Sequence, residues 1–174
     1  GRHKARTRPS VGNHDIKTRN GAPYYEYFGA AAGPRGLGYY SYNLGAWHII
    51  ALNSSIAMDR KSKQLKWLRQ DLADNPSTCT LAYWHIPLFS SGGHGNHPEL
   101  LLDTWRILYE AGVDVVVGGH DHNYERFAPQ DPRGNPDPQR GIRQFVVGTG
   151  GAGVYAFKDL AENSEVRQNK SYGV

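Results

Sequence analysis

The stretch from residue 113 to residue 124, VDVVVGGHDHNY, narrows the folds open to this chain more than any other. The β-branched run at 113–117 reads as a strand buried on both faces, which belongs in a parallel sheet covered by helices. Such a strand needs helical crossovers and neighbours, and both are legible. Leu65, Leu68 and Leu72 fall at i, i+3 and i+7, which predicts a helix over 61–73. Pro98 suits the first turn of a second helix, with Leu101, Trp105 and Leu108 on its apolar side and Gly112 to stop it. Runs at 39–44 and 46–53, joined tightly at Gly45, and at 78–84 and 142–147 read as strands. Residues 7–11 read as the end of a strand, 23–28 as a short helical turn, 130–140 as a polar loop, and the closing SYGV as a strand beginning. The alternation is that of an α/β protein. No internal repeat or linker divides the chain, so residues 1–174 form a single domain or part of one.

Composition removes several classes of function. Twenty Lys and Arg against sixteen Asp and Glu leave +4, with no segment basic enough to argue for nucleic acid. No run of 18 apolar residues exists to cross a membrane as a helix. One cysteine, Cys79, excludes an internal disulfide framework and any zinc site built from several thiolates. Eight histidines are many for this length, and several adjoin Gly, Asp or Asn.

Three predicted strands end in loops that carry them: Gly12-Asn13-His14-Asp15, Trp84-His85-Ile86-Pro87, and Gly118-Gly119-His120-Asp121-His122. In α/β folds, loops at strand ends converge to form ligand sites. His120 and His122 stand two residues apart, a spacing that points both to one side of an extended segment. Imidazole is the commonest ligand of transition metals, so each can hold one ion of a pair. Asn13 offers a neutral carbonyl oxygen. His14, its neighbour, points elsewhere and can face a substrate, with Asp15 to orient it. Pro87 restrains the strand end that carries His85. The glycine-rich stretch 90–97, SSGGHGNH, can close over a substrate. Each loop alone also reads as an ordinary polar turn.

In this order, GNHD, a strand-end His85 and GHDHNYER resemble the calcineurin-like metallophosphoesterases. The ending and a loop histidine nine residues after His85 are similar to the purple acid phosphatase branch. The resemblance implies a sandwich of two mixed β-sheets flanked by helices. It implies hydrolysis of small-molecule phosphate esters by a hydroxide that two metal ions activate, the ions being Fe, Zn or Mn. Asn13, His85 and His120 would bind one ion and His122 the other. His14 would contact the phosphate and protonate the leaving group, and His94 would be a further phosphate contact. The family's remaining ligands, carboxylates and a tyrosine in a GDxxY motif, precede GNHD and have no counterpart in this sequence. The chain also starts without Met, within a dozen residues of the first loop. It therefore reads as part of a catalytic domain cut at both ends, inactive alone, and the resemblance suggests secretion. Cys79 is then a disulfide half whose partner lies elsewhere, or a reduced strand cysteine. A phosphodiesterase or nucleotidase of the same superfamily, and a non-catalytic metal-binding module of the same fold, are the alternative readings.

Overall fold

The computed structural model describes residues 2–173. Its centre is a seven-stranded mixed sheet in the order β1-β2-β3-β4-β6-β5-β7. β1 (Tyr40–Leu44) and β2 (Trp47–Ala51) form an antiparallel hairpin. From β2 the chain crosses through α2 (Lys63–Asp74) to β3 (Cys79–Tyr83), then through α3 (Pro98–Glu110) to β4 (Val115–Gly118), all three strands parallel. β6 (Arg143–Val147) lies parallel beside β4, and β5 (Tyr124–Phe127) and β7 (Ser164–Gln168) complete that edge antiparallel. A short α1 (Ala22–Phe28) precedes the sheet and packs its tyrosines around Val11. No helix among the described residues is long and apolar enough to cross a membrane.

The two crossovers step across the sheet in the same direction, and right-handed connections then place both helices on one face. The main core forms there. Ile50, Ala82 and Val116 stand side by side in register, and Leu65, Leu68, Leu101, Trp105 and Leu108 cover them. Each such side chain contributes about 1.5–3 kcal/mol by leaving water. Ser62 caps α2 by accepting from the Leu65 amide, and Pro98 opens α3 as expected. A buried polar network ties α2 to the hairpin. His48 Nδ1 lies 2.8 Å from Asn43 Oδ1 and its Nε2 2.9 Å from Asp71, which also accepts from the Ser41 hydroxyl.

The expected α/β class, both main helices, and the strands of the hairpin, β3, β4 and β6 are present. Several expectations change. The run at 113–117 is not buried on both faces: Val116 is fully buried, but Val115 and Val117 are only half-buried. Both helices lie on the other side, and Asp114, exposed, starts the strand late and accepts from the Thr80 amide. Among the described residues the seven strands form one mixed sheet. Residues 7–11 join no ladder; side chains hold them instead, with the hydroxyls of Tyr40 and Tyr83 donating to the carbonyls of Pro9 and Arg8. At the end of the chain, residues 171–173 bend rather than begin a strand, and Val174 lies outside the described residues. β5 and β7 were not anticipated, because β5 is concealed within a histidine motif and β7 is a polar edge strand. Cys79, half-buried at the start of β3, is free.

Candidate active site

The three predicted loops meet at the carboxyl ends of β3 and β4. His85 follows β3 by two residues, His120 follows β4 by two, and Asn13 comes from the segment after Val11. His85 Nε2 is 2.9 Å from Asn13 Oδ1 and 3.2 Å from His120 Nδ1. Two ring nitrogens and an amide oxygen therefore face one another. A single N–H on His85 Nε2 cannot serve both neighbours. Donor atoms about 3 Å apart, lone pairs facing, suit a shared cation bound at about 2.1 Å from each.

His120 is the hub. The His94 ring stacks on it at 4.1 Å with planes 23° apart, His85 meets it edge-on at 5.0 Å, and His97 lies at 6.0 Å. Burial holds the His120 imidazole down to about 4, helped by the nearby rings of His94 and His85. His85 is lowered too, first by burial, with Asp15 opposing and His14, His122 and His94 assisting. Both rings are thus neutral at pH 7, the form that a metal requires. His97 Nε2 is enclosed without a hydrogen-bond partner.

His120 and His122 do not lie on an extended segment. His120 adopts φ 66°, and consecutive tight turns follow, with the amides of Asp121 and Asn123 donating to the carbonyls of Gly119 and Asp121. A left-handed non-glycine residue stores strain, and such residues concentrate at functional sites. The turns send the two rings to different neighbours. His122 Nδ1 lies 2.8 Å from the Gly153 carbonyl, which can only accept, so Nδ1 carries the proton and Nε2 keeps a free lone pair. The ring stacks on Tyr155 at 4.2 Å. The turn depends on a glycine opposite: a Cβ on Gly148 would fall 1.8 Å from the Asp121 carbonyl oxygen.

The remaining expectations divide. His14 is exposed beside Asn13, as a residue facing a substrate must be. Asp15 does not hold it; its carboxylate accepts from the Gly12 amide at 2.8 Å and shapes the turn. His94 is exposed and stands over His120. A cleft of about 270 Å³ opens between His85, His120, His122 and the glycines at 148–151. A larger cleft, of about 500 Å³, lies at the opposite ends of the strands among Leu72, Thr80 and Ile107, and no histidine lines it. Sequence reasoning missed Tyr155 and His97. The glycine-rich end of β6, in the same position as the other three loops, was the available signal for Tyr155.

The calcineurin-like phosphoesterase family model matches residues 3–124. Purple acid phosphatase 15 of Arabidopsis thaliana is 33% identical over 127 residues, covering 66% of this chain and 24% of that protein. Purple acid phosphatase 18 of the same plant is 33% identical over 143 residues, 78% of this chain and 32% of that protein. The structure of the purple acid phosphatase PPD1 from yellow lupin (Lupinus luteus) seeds superposes with a TM-score of 0.82 at 22% identity, over 95% of this chain and 32% of that one. The chain thus spans about a quarter to a third of the length of these relatives.

Proposed function

Because the chain belongs to the calcineurin-like phosphoesterase family, in its purple acid phosphatase-like branch, we propose that it supplies part of a metal-dependent site that hydrolyses small phosphate esters. The observation that carries this reading is the meeting of Asn13 Oδ1, His85 Nε2 and His120 Nδ1. These three atoms would hold one ion, and His122, through Nε2, a second. The family implies divalent metal ions, and Fe, Zn and Mn all suit this donor set. Bound there, such ions would offset the negative charge of the ester and lower the pKa of bound water toward ~7.

The chain's own side chains account for the rest. Its neutral ligands leave the cations' charge in place to attract phosphate. His94, exposed above His120, binds a phosphate oxygen. His14, exposed beside Asn13, holds a proton for the departing alkoxide oxygen. No covalent nucleophile takes part: the hydroxyls of Ser90 and Ser91 are buried and donate to Asp121 and Glu125. Export from the cytosol, which the resemblance suggests, is part of the same proposal.

The chain supplies only part of the ligand set. Among the described residues no three His, Cys, Asp or Glu side chains converge as they would on an ion, and Asn13 is the third donor of the trio. Without a bridging carboxylate, nothing holds two cations together against their repulsion. The 174-residue chain should therefore bind at most one equivalent of Zn²⁺ or Mn²⁺, weakly, and hydrolyse p-nitrophenyl phosphate no faster than buffer holding the same metal. Titration calorimetry and a turnover assay test this, with His85→Ala abolishing the binding. Two tightly bound ions with robust turnover would overturn the partial-site reading. A folded chain that binds neither metal would overturn the trio as ligands.

A further inference from the structure

We propose that Asp121 and Glu125, the two acidic residues of HDHNYE, are positioning residues that hold the loop at 90–97 so that His94 lies over His120. The phosphoesterase reading enters only through the chemistry that His94 serves. The loop's attachment stands on its own geometry.

The loop forms no helix and no strand, so its backbone must find partners elsewhere. It finds them on two fully buried carboxylates. Asp121 Oδ1 accepts from the His94 amide at 2.9 Å. Its Oδ2 accepts from the Ser90 hydroxyl, whose oxygen in turn accepts from the Gly92 amide at 3.0 Å. Glu125 Oε2 accepts from the Ser91 amide at 2.9 Å, and Oε1 from the hydroxyls of Ser91 and Ser164 at 2.5 Å each. The Ser91 hydroxyl oxygen accepts from the Ala161 amide. The partners are all neutral amides and hydroxyls.

A buried carboxyl group is costly unless hydrogen-bonded. The loop cannot lift away without stranding both, and that cost is what clamps it. Bonds to a carboxylate are also the stronger kind. Close packing adds a second constraint: a Cβ on Gly92 would stand 2.4 Å from Asp121 Cγ, so the carboxylate occupies the space that a side chain would need. The turn at His120 thus has two outputs. It presents the rings of His120 and His122 to the cleft and Asp121 to the loop behind. With its own amide tethered, His94 has its ring fixed in the stack at 4.1 Å.

Amide hydrogen exchange and histidine ring NMR on the metal-free 174-residue chain test this without substrate or activity, so they do not depend on the phosphoesterase reading. In Asp121→Ala the amides of His94 and Gly92 should exchange about tenfold faster or more, the loss expected for a bond to a charged group. Ala82 and Val116 in the sheet should stay protected, and the His120 ring protons should lose the ring-current shift from His94. Asp121→Asn keeps an acceptor for the His94 amide and should restore its protection. Glu125→Ala should release chiefly Ser91. Should Asp121→Ala fail to fold, Ser90→Ala still tests the clamp by freeing the Gly92 amide. An unchanged His94 amide and an unchanged His120 ring in a folded Asp121→Ala would overturn the proposal, as would an unchanged Gly92 amide in Ser90→Ala.

Discussion

His120→Asn should flatten the acid side of the stability curve. Burial and the neighbouring rings of His94 and His85 hold the His120 imidazole at about 4 in the folded chain, against 6.5 when unfolded. Between those values the unfolded chain binds the extra proton, so stability is lost as pH falls from 6.5 toward 4 and is fully present above. At 1.36 kcal/mol per pH unit the gap sets a ceiling of about 3.4 kcal/mol. The ring is only partly buried, and solvent screening brings the expected loss to about 1–2 kcal/mol. Asparagine is the appropriate replacement, since it tolerates the left-handed backbone found at His120 while removing the titrating group. Urea unfolding in EDTA at pH 7.5 and pH 4.5 reads the difference. The parent chain should lose about 1–2 kcal/mol more than His120→Asn across that interval, from the same shift. Parallel stability curves for the two would refute the argument, because they would show that the His120 ring is not desolvated by the cluster.

Asp71→Ala should leave His48 Nε2 and the Ser41 hydroxyl without a partner inside the protein; at about 1–3 kcal/mol for each orphaned group the cost is about 2–6 kcal/mol, read by urea unfolding, with Zn²⁺ affinity unchanged because the network lies at the other end of the strands. Gly148→Ala should displace the 121–123 turn, destabilise by about 1–3 kcal/mol or more, and weaken Zn²⁺ binding in calorimetry. Gly150→Ala, whose Cβ would meet nothing within 4 Å, is the control and should change neither.

The helices were legible because their apolar spacing repeats every three or four residues, and Ser62 and Pro98 mark their starts. β2, β3, β4 and β6 were legible as apolar runs between turn residues. The three histidine loops could be named in advance for the same reason: each follows an identifiable strand, and parallel strands deliver their ends to one side of a sheet. Local sequence could not show which face of a strand is covered. That depends on the hand of the two crossovers, which put both helices behind Val116 and left Val115 and Val117 half-exposed. Nor could it show β5 and β7, whose pairing partners are distant and whose composition is polar. The site divides in the same way. Residue type and spacing singled out Asn13, His14, His85, His120 and His122, and the family resemblance added His94. Folding decided that His85 stands within 3.2 Å of both Asn13 and His120, that a left-handed turn and not strand parity separates His120 from His122, and that Asp121 faces away to hold the His94 loop. Local periodicity constrains a residue's neighbours within a few positions of the chain, whereas a contact between residues 13, 85 and 120 exists only once the sheet has brought their loops together.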